Sequence, residues 1–566
     1  MSDGAVAAAT PGLRVLLFSL EFLSPFSGNG QYSRCIVRGL KRAGATVLVV
    51  SGRPVDAPLE AQDAEARAHC AAPHGVVDIA LPVWGRLDRA CAWEAFREGC
   101  CAPACVARAA AFAPSVVVCV DYHTGLAWPA VRALLAPALA PAPPPPMVYL
   151  NFRLFCTSTA LHAPPSAQDA GGVSDAQFYR AAERASMAAA VRSVALCRQD
   201  ALQLLALAAG VDPVSGAAEA AAGAAGGAAA PRALPALATL LPPLRSDVCA
   251  LVGAAAGTQA HCAAGGGGGA LPPALLPSPG HALITSLVRL SPEKNALAVP
   301  QLLLAAEAAH PGLLARSHLQ PFFTGCGEAT AYARQVKDAA AALPPAPAPP
   351  LLCTTFLGPL ALGQALQASA LNLHPCLADA YGMTIVEAAA WGVPSLVNVP
   401  GALGGTAGGA GGERVGAGSG DEVSPGALFV PQGCLGCCCT EVTLEALQGS
   451  AARAHTEADL SSLGMRLFKL SRALPPVGAC DLLAPHPASG SAAEQGIVCF
   501  DFAAPVEAQV ERLVQLLAQA SARARGEAGG LLDSVAAVAR ARALAWTEES
   551  HGIALLQLLT RAAAGH

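Results

Sequence analysis

The strongest constraint in this chain is the alternation of short, almost wholly apolar runs with longer segments of helical period. Residues 13–20, LRVLLFSL, form such a run. A run that short and that apolar reads as a strand buried on both faces, as in a parallel sheet. A glycine-bearing loop, SPFSGNG, follows at 24–30. In the next stretch, QYSRCIVRGLKRAGA, Tyr32, Cys35, Ile36, Gly39 and Leu40 recur at helical spacing, and Gly44 stops the helix. The helix is expected to begin near Tyr32. TVLVV at 46–50 is the second strand. Parallel strands need a crossover, and such crossovers are right-handed, so this stretch is one β-loop-α-β unit.

The pattern continues. Strands are expected at 76–80, 115–120, 147–150, 193–197 and 237–241, with helices at 90–111, interrupted by Pro103, and at 176–190. A second series restarts with strands at 281–289, 351–357, 371–373 and 395–399, and helices at 296–309 and 384–391. Helices at 506–520, 531–545 and 548–559 close the chain. This order predicts an α/β fold: two Rossmann-like βα domains facing a cleft, with C-terminal helices. The expected organisation is a first domain over 11–250 with a low-complexity insertion near 214–235, and a flexible linker over 251–280. A second domain over 281–505, with insertions near 401–425 and 440–495, and helices over 506–562 complete it. The insertions and the linker are Ala, Gly and Pro tracts, with too few large apolar residues to pack.

Charged residues are only 13% of the 566, against a usual ~25%, and hydrophobic residues are 53%. That excludes a disordered acidic or basic chain. With 35 Lys+Arg against 40 Asp+Glu, nothing suggests a nucleic-acid surface. The 20 cysteines form no disulfide framework, and the crowded run Cys434, Cys437, Cys438, Cys439 has no second pair placed as a zinc site needs. A reduced compartment follows: cytoplasm, with a plastid address as the alternative. No amphipathic basic helix marks a membrane surface, so membrane contact is unsupported.

Four clusters fall beyond the ends of expected strands, where ligands bind in open α/β sheets. Gly28 and Gly30 let backbone N–H groups approach an anion, but the loop matches neither the dinucleotide fingerprint nor a Walker loop. Asp121, Tyr122 and His123 follow the most apolar strand; Asp or His there can orient a sugar hydroxyl or move a proton, or simply cap and pack. Arg289 and Lys294, in VRLSPEKN, are two cations at the wrong end of a helix to serve its dipole, and a bound diphosphate accounts for them. The sharpest cluster is HPCLADAYGMTIVEAAAWGVPSLV, 374–397. Gly382 turns the chain sharply from the loop holding Asp379 into a helix bearing Glu387 in its first turn. Two carboxylates there can hold hydroxyls while the helix N–H groups meet phosphate. Thr384-x-x-Glu387 also fits a capping box.

These residues resemble the retaining nucleotide-sugar glycosyltransferases of the GT-B fold, the family that includes sucrose-phosphate synthase and mannosyltransferases (family 4). Tyr381-Gly382, Glu387-Ala388 and Gly392-Val393-Pro394 match its E-x7-E region. VRLSPEKN resembles its G-R-L-x-x-E-K-G, Gly28 to Gly30 resemble its first loop, and Trp546-Thr547-Glu548 resembles its F-S-W-E segment. DYHTGLAWP is similar to D-W-H-x-G-L of starch and glycogen synthases. The resemblance implies that Glu387 holds the ribose, Tyr381, Gly382 and the glycine loop lie at the nucleotide sugar, and Asp379 contacts the transferred sugar. It implies that Arg289 and Lys294 stabilise the departing diphosphate. It implies a UDP or GDP sugar as co-substrate, no tightly bound cofactor, no metal, and a sugar, lipid or protein acceptor.

Three positions depart from the pattern. Asp379 replaces the usual Glu and loses a methylene of reach, where about 1 Å can cost roughly 100-fold. Asn295 replaces a Gly. Leu150-Asn151 stands where starch and glycogen synthases carry His-Asn, which argues against those enzymes, and His123 is the remaining histidine nearby. The alternatives to sugar transfer are a non-catalytic GT-B scaffold or subunit of a glycosylation complex, and saccharide phosphorolysis.

Overall fold

The structure, a computed structural model, describes residues 12–25, 27–72, 74–84, 93–160, 174–217, 235–256, 270–325, 330–345, 348–355, 357–377, 379, 381–399, 429–431, 439–442, 457–472, 474, 479–483, 495–527 and 529–565. Its strands in chain order are β1 (Arg14–Ser19), β2 (Thr46–Pro54), β3 (Val76–Leu81), β4 (Val116–Val120), β5 (Met147–Asn151), β6 (Arg192–Ala195), β7 (Leu237–Leu240), β8 (Ala282–Leu287), β9 (Leu319–Thr324), β10 (Leu351–Cys353), β11 (Ser369–His374), β12 (Ser395–Asn398), β13 (Phe429–Pro431), β14 (Cys439–Val442) and β15 (Val498–Phe500).

The chain forms two compact units. The first comprises Met1–Pro243, Val423–Leu474 and Glu548–His566; the second comprises Leu244–Glu422 and Pro475–Thr547. In the first, the sheet order is β3-β2-β1-β4-β5-β6-β7-β14-β13. β1 to β7 pair in parallel, while β14 and β13 add as an antiparallel pair on the β7 edge. The central strands are buried along their length, as uniformly apolar sequence demands. In the second unit all six strands are parallel, in the order β10-β9-β8-β11-β12-β15. The α/β class and the two Rossmann-like sheets are therefore as the sequence predicts.

Several boundaries differ. The C-terminal helical block divides: Val506–Ala524 and Leu531–Ala545 belong to the second unit, and Glu548–Ala563 to the first. There the buried Glu548 carboxylate accepts from Arg38 Nε (3.0 Å) and Nη2 (2.6 Å) and from Arg42 Nη1 (3.2 Å). His551 Nε2 lies 3.0 Å from the Tyr32 hydroxyl. The linker is shorter than expected, because Ser246–Ala256 is a helix and Leu271 is buried, its N–H donating to Gln364 Oε1. Part of the 440–495 insertion is structured: Leu463 and Leu467, on the helix Glu457–Arg472, join the apolar core that holds Leu204 and Leu205. Residues 218–234, 257–269 and 400–428, and Cys434, Cys437 and Cys438, lie outside the described residues. No helix among the described residues is long and apolar enough to cross a membrane.

Candidate active site

In each sheet the first strand of its series lies in the interior. From β1 the chain builds β2 and β3 to one side, then β4 onward to the other; from β8 it builds β9 and β10, then β11 and β12. The loops leaving β1 and β4, and those leaving β8 and β11, thus diverge and leave a crevice at the strands' C-terminal ends. All four sequence clusters fall on these loops and on the helices that follow them.

In the first unit the helix starts at Gly28, earlier than Tyr32. Ser27 is its N-cap and accepts from the Asn29 N–H, while Glu21 accepts from the Ser27 N–H and hydroxyl. Gly30 has a packing cause: a Cβ there would lie 2.6 Å from Pro25 Cβ. Asp121 does not cap its helix. It is fully buried with φ of 61°, a conformation an Asp adopts at a cost. Its carboxylate accepts from Asn29 Nδ2 and the Phe152 N–H, each at 2.7 Å, bridging the loops after β1, β4 and β5. Burial pushes the Asp121 carboxyl up to about 7, against the opposing pull of the Phe152 N–H. His123 is buried, its ring stacked 3.9 Å from Tyr122 and edge-on to Phe155, so the aromatic core holds it. Glu183, which carried no sequence signal, is also buried and accepts from the Phe155 N–H at 2.6 Å; burial pushes it up to about 8.

In the second unit β8 ends at Leu287, two residues before Arg289. Arg289 is exposed, and its side chain makes no hydrogen bond or ion pair among the described residues. A short 3-10 turn, Pro292–Lys294, then presents Lys294. Asn295 ends the turn with φ of 49°, a left-handed geometry that Asn tolerates. The Leu377 N–H donates to the Glu293 carbonyl, tying this turn to the loop after β11. Lys294 Nζ is consequently 3.0 Å from Asp379 Oδ2, and His374 Nε2 is 3.1 Å from the same oxygen. Burial raises the Asp379 carboxyl, but Lys294 and His374 outweigh it and hold the group well below its usual range. Burial likewise lowers Lys294, and Asp379 more than offsets that, so the ammonium is raised. Carboxylate and ammonium are both charged at neutral pH.

Gly382 caps the helix Met383–Ala390 with φ of 78°, which only Gly reaches without strain. Tyr381 beside it is buried, its carbonyl accepting from the Ala479 N–H. Glu387 falls in the second turn, not the first, and the capping box with Thr384 does not form. Its carboxylate instead meets Arg245 Nη1 at 3.4 Å. Burial pushes Glu387 up to about 7, Arg245 lowers it and Asp247 raises it. Arg245 is itself clamped by Asp247 at 2.5 Å. Sequence reasoning missed Arg245, which follows Pro242-Pro243 without a motif. It also missed the grouping of His374 and Cys376 with Asp379, although the spacing H-x-C-x-x-D was visible.

No family model and no curated protein matches the chain. Solved structures match over nearly all of it. Sucrose-phosphate synthase from Thermosynechococcus elongatus is 12% identical with a TM-score of 0.55, covering 98% of this chain and 100% of its own. A trehalose-6-phosphate protein from E. coli bound with UDP-2-fluoro glucose gives 12% and 0.52, covering 97% and 99%. A trehalose-6-phosphate synthase studied for glycosyl transfer with retention gives 12% and 0.51, covering 97% and 99%. The fold is that of the GT-B glycosyltransferases.

Proposed function

We propose that this protein is a retaining glycosyltransferase moving a hexosyl group from a UDP or GDP sugar to an acceptor. The observation that carries the reading is the Lys294–Asp379 pair at the crevice between β8 and β11, with Arg289 before it and the Gly382-capped helix after it. A nucleotide sugar has the matching chemistry. Its diphosphate meets Arg289, Lys294 and the free N–H groups of the helix start. Its ribose hydroxyls donate to Glu387. Its hexose lies against Asp379, and charge developing on the departing diphosphate is met by cations already in place. Similarity to a protein bound with UDP-2-fluoro glucose, and to one studied for transfer with retention, supports donor class and stereochemistry. No step in this reading needs a metal. The acceptor is a sugar, a sugar phosphate, a lipid or a protein.

The test is thermal unfolding of the full chain against UDP, GDP, ADP and their glucose, galactose and mannose forms. A ligand at about 100 times its dissociation constant stabilises the folded state by about 2.7 kcal/mol. We expect one base and one sugar to shift unfolding upward, and the shift to vanish in Glu387→Ala. A folded sample that responds to none overturns the reading in favour of a non-catalytic scaffold.

A further inference from the structure

We propose that His374, Cys376 and Asp379 form a binding site for a soft divalent cation, zinc above all, and that the cation displaces Lys294 from Asp379 and turns the site off. The inhibitory half rests on the sugar-transfer reading; the binding half does not.

An imidazole nitrogen, a thiol sulfur and a carboxylate oxygen converge here, all within 4.8 Å of one another. They are the three donor types zinc prefers, at the end of β11 and in the loop that follows. Bonds of about 2.0–2.3 Å in tetrahedral geometry need donors roughly 3.3–3.8 Å apart, so closure asks for about 1 Å of movement. His374 and Cys376 are buried, while the Asp379 side chain keeps 19% exposure, giving an ion one open side. Cys376 packs among Val288, Leu290, Ala296, Ala333 and Val336, but its thiol also lies with the His374 imidazole and the Asp379 carboxylate, and sugar transfer gives that grouping no task.

Charge decides what the site holds. Now it holds one positive group, the Lys294 ammonium, beside Asp379. Zinc binding would deprotonate Cys376: the thiol proton leaves to solvent, a sulfur–zinc bond forms, and nothing is oxidised or reduced. Thiolate and carboxylate together neutralise the dication, so the ammonium loses its partner and is repelled. Its four-carbon stem lets it swing away. Zinc and Lys294 therefore exclude each other at Asp379, and a zinc-loaded chain lacks the cation that meets the leaving diphosphate.

The test uses the full chain with Co2+ as a spectroscopic probe and Zn2+ in calorimetry. We expect a thiolate-to-cobalt absorption band and one equivalent of metal that disappear in both Cys376→Ala and His374→Asn, each shown folded by circular dichroism. Lys294→Met should bind the metal at least about tenfold more tightly, an effect no structural role of Lys294 produces. Zinc should slow wild-type turnover over the same concentration range, reversibly on chelation, and should not slow Cys376→Ala relative to that variant's own metal-free rate. Equal metal stoichiometry in wild type and both variants overturns the site. Unchanged metal affinity in Lys294→Met, or full turnover with metal bound at Cys376, overturns the exclusion.

Discussion

Replacing Arg245 with Met should make nucleotide binding depend on pH in a range where the parent protein is nearly flat. In the proposed donor site Glu387 would accept two ribose hydroxyls, which it can do only as a carboxylate, and burial has raised it to about 7 with Arg245 already pulling it down. The guanidinium is 3.4 Å away and well buried, so the pair is poorly screened. Removing it leaves Glu387 facing burial and the Asp247 charge alone. A further rise of about one to two pKa units, ~1.4–2.7 kcal/mol, is the expected scale. At pH 7 the ionised fraction then falls from about one half to about one in eleven for one unit, weakening binding ~5-fold, and ~50-fold for two. Affinity rises with pH through the Glu387 pKa, so the parent gains only about twofold from pH 7 to 9 while the variant recovers most of its loss. Calorimetric titration of the nucleoside diphosphate at pH 6, 7, 8 and 9 reads this directly. Parent-like affinity at every pH would refute the claim that Arg245 keeps Glu387 ionised.

Three further outcomes follow from the geometry. Lys294→Ala should cut turnover at least about tenfold, a loss of ~1.4 kcal/mol in transition-state stabilisation, while circular dichroism stays native; full rate in the variant would remove Lys294 from the site. Glu548→Gln strands Arg38 and Arg42 without their buried carboxylate, though Arg38 keeps Glu65 at 2.6 Å. It should cost about 3 kcal/mol, read as a lower urea midpoint. Gly382→Ala forces a Cβ into left-handed backbone and should cost about 1–2 kcal/mol in unfolding free energy, with a larger proportional loss of nucleotide affinity because the helix start is displaced.

The sheets were legible because their strands are short, continuous apolar runs. β4 and β5 lie within a residue of the expected limits. β9 went unread because Pro321 sits inside it, and proline ordinarily argues against an interior strand. β14 and the helix Glu457–Arg472 were hidden in a segment whose neighbours are low in large apolar residues. Of the candidate site, local motifs singled out Lys294, Asp379, Gly382 and Glu387, and the structure sets them on the segments that follow β8 and β11. Their pairings were not legible: a capping box and an Arg245 ion pair make equal use of the same Glu387, and only tertiary structure chooses between them. Asn29 reaching Asp121 across 92 positions is equally beyond any window. For His123 the sequence left a sugar-site role and simple packing both open, and the structure adds that its ring stacks on Tyr122.

Product analysis separates retaining sugar transfer from the other possible functions of this chain. The purified chain is incubated with UDP- or GDP-hexose and a panel of sugar and sugar-phosphate acceptors, and anomeric configuration is read by nuclear magnetic resonance. The expected result is release of one nucleoside diphosphate per glycoside formed, with the donor's α configuration kept, and loss of both in Lys294→Ala. An inverted product, or a folded protein that binds the nucleotide sugar and transfers to none of the panel while Lys294→Ala binds it equally well, would contradict it.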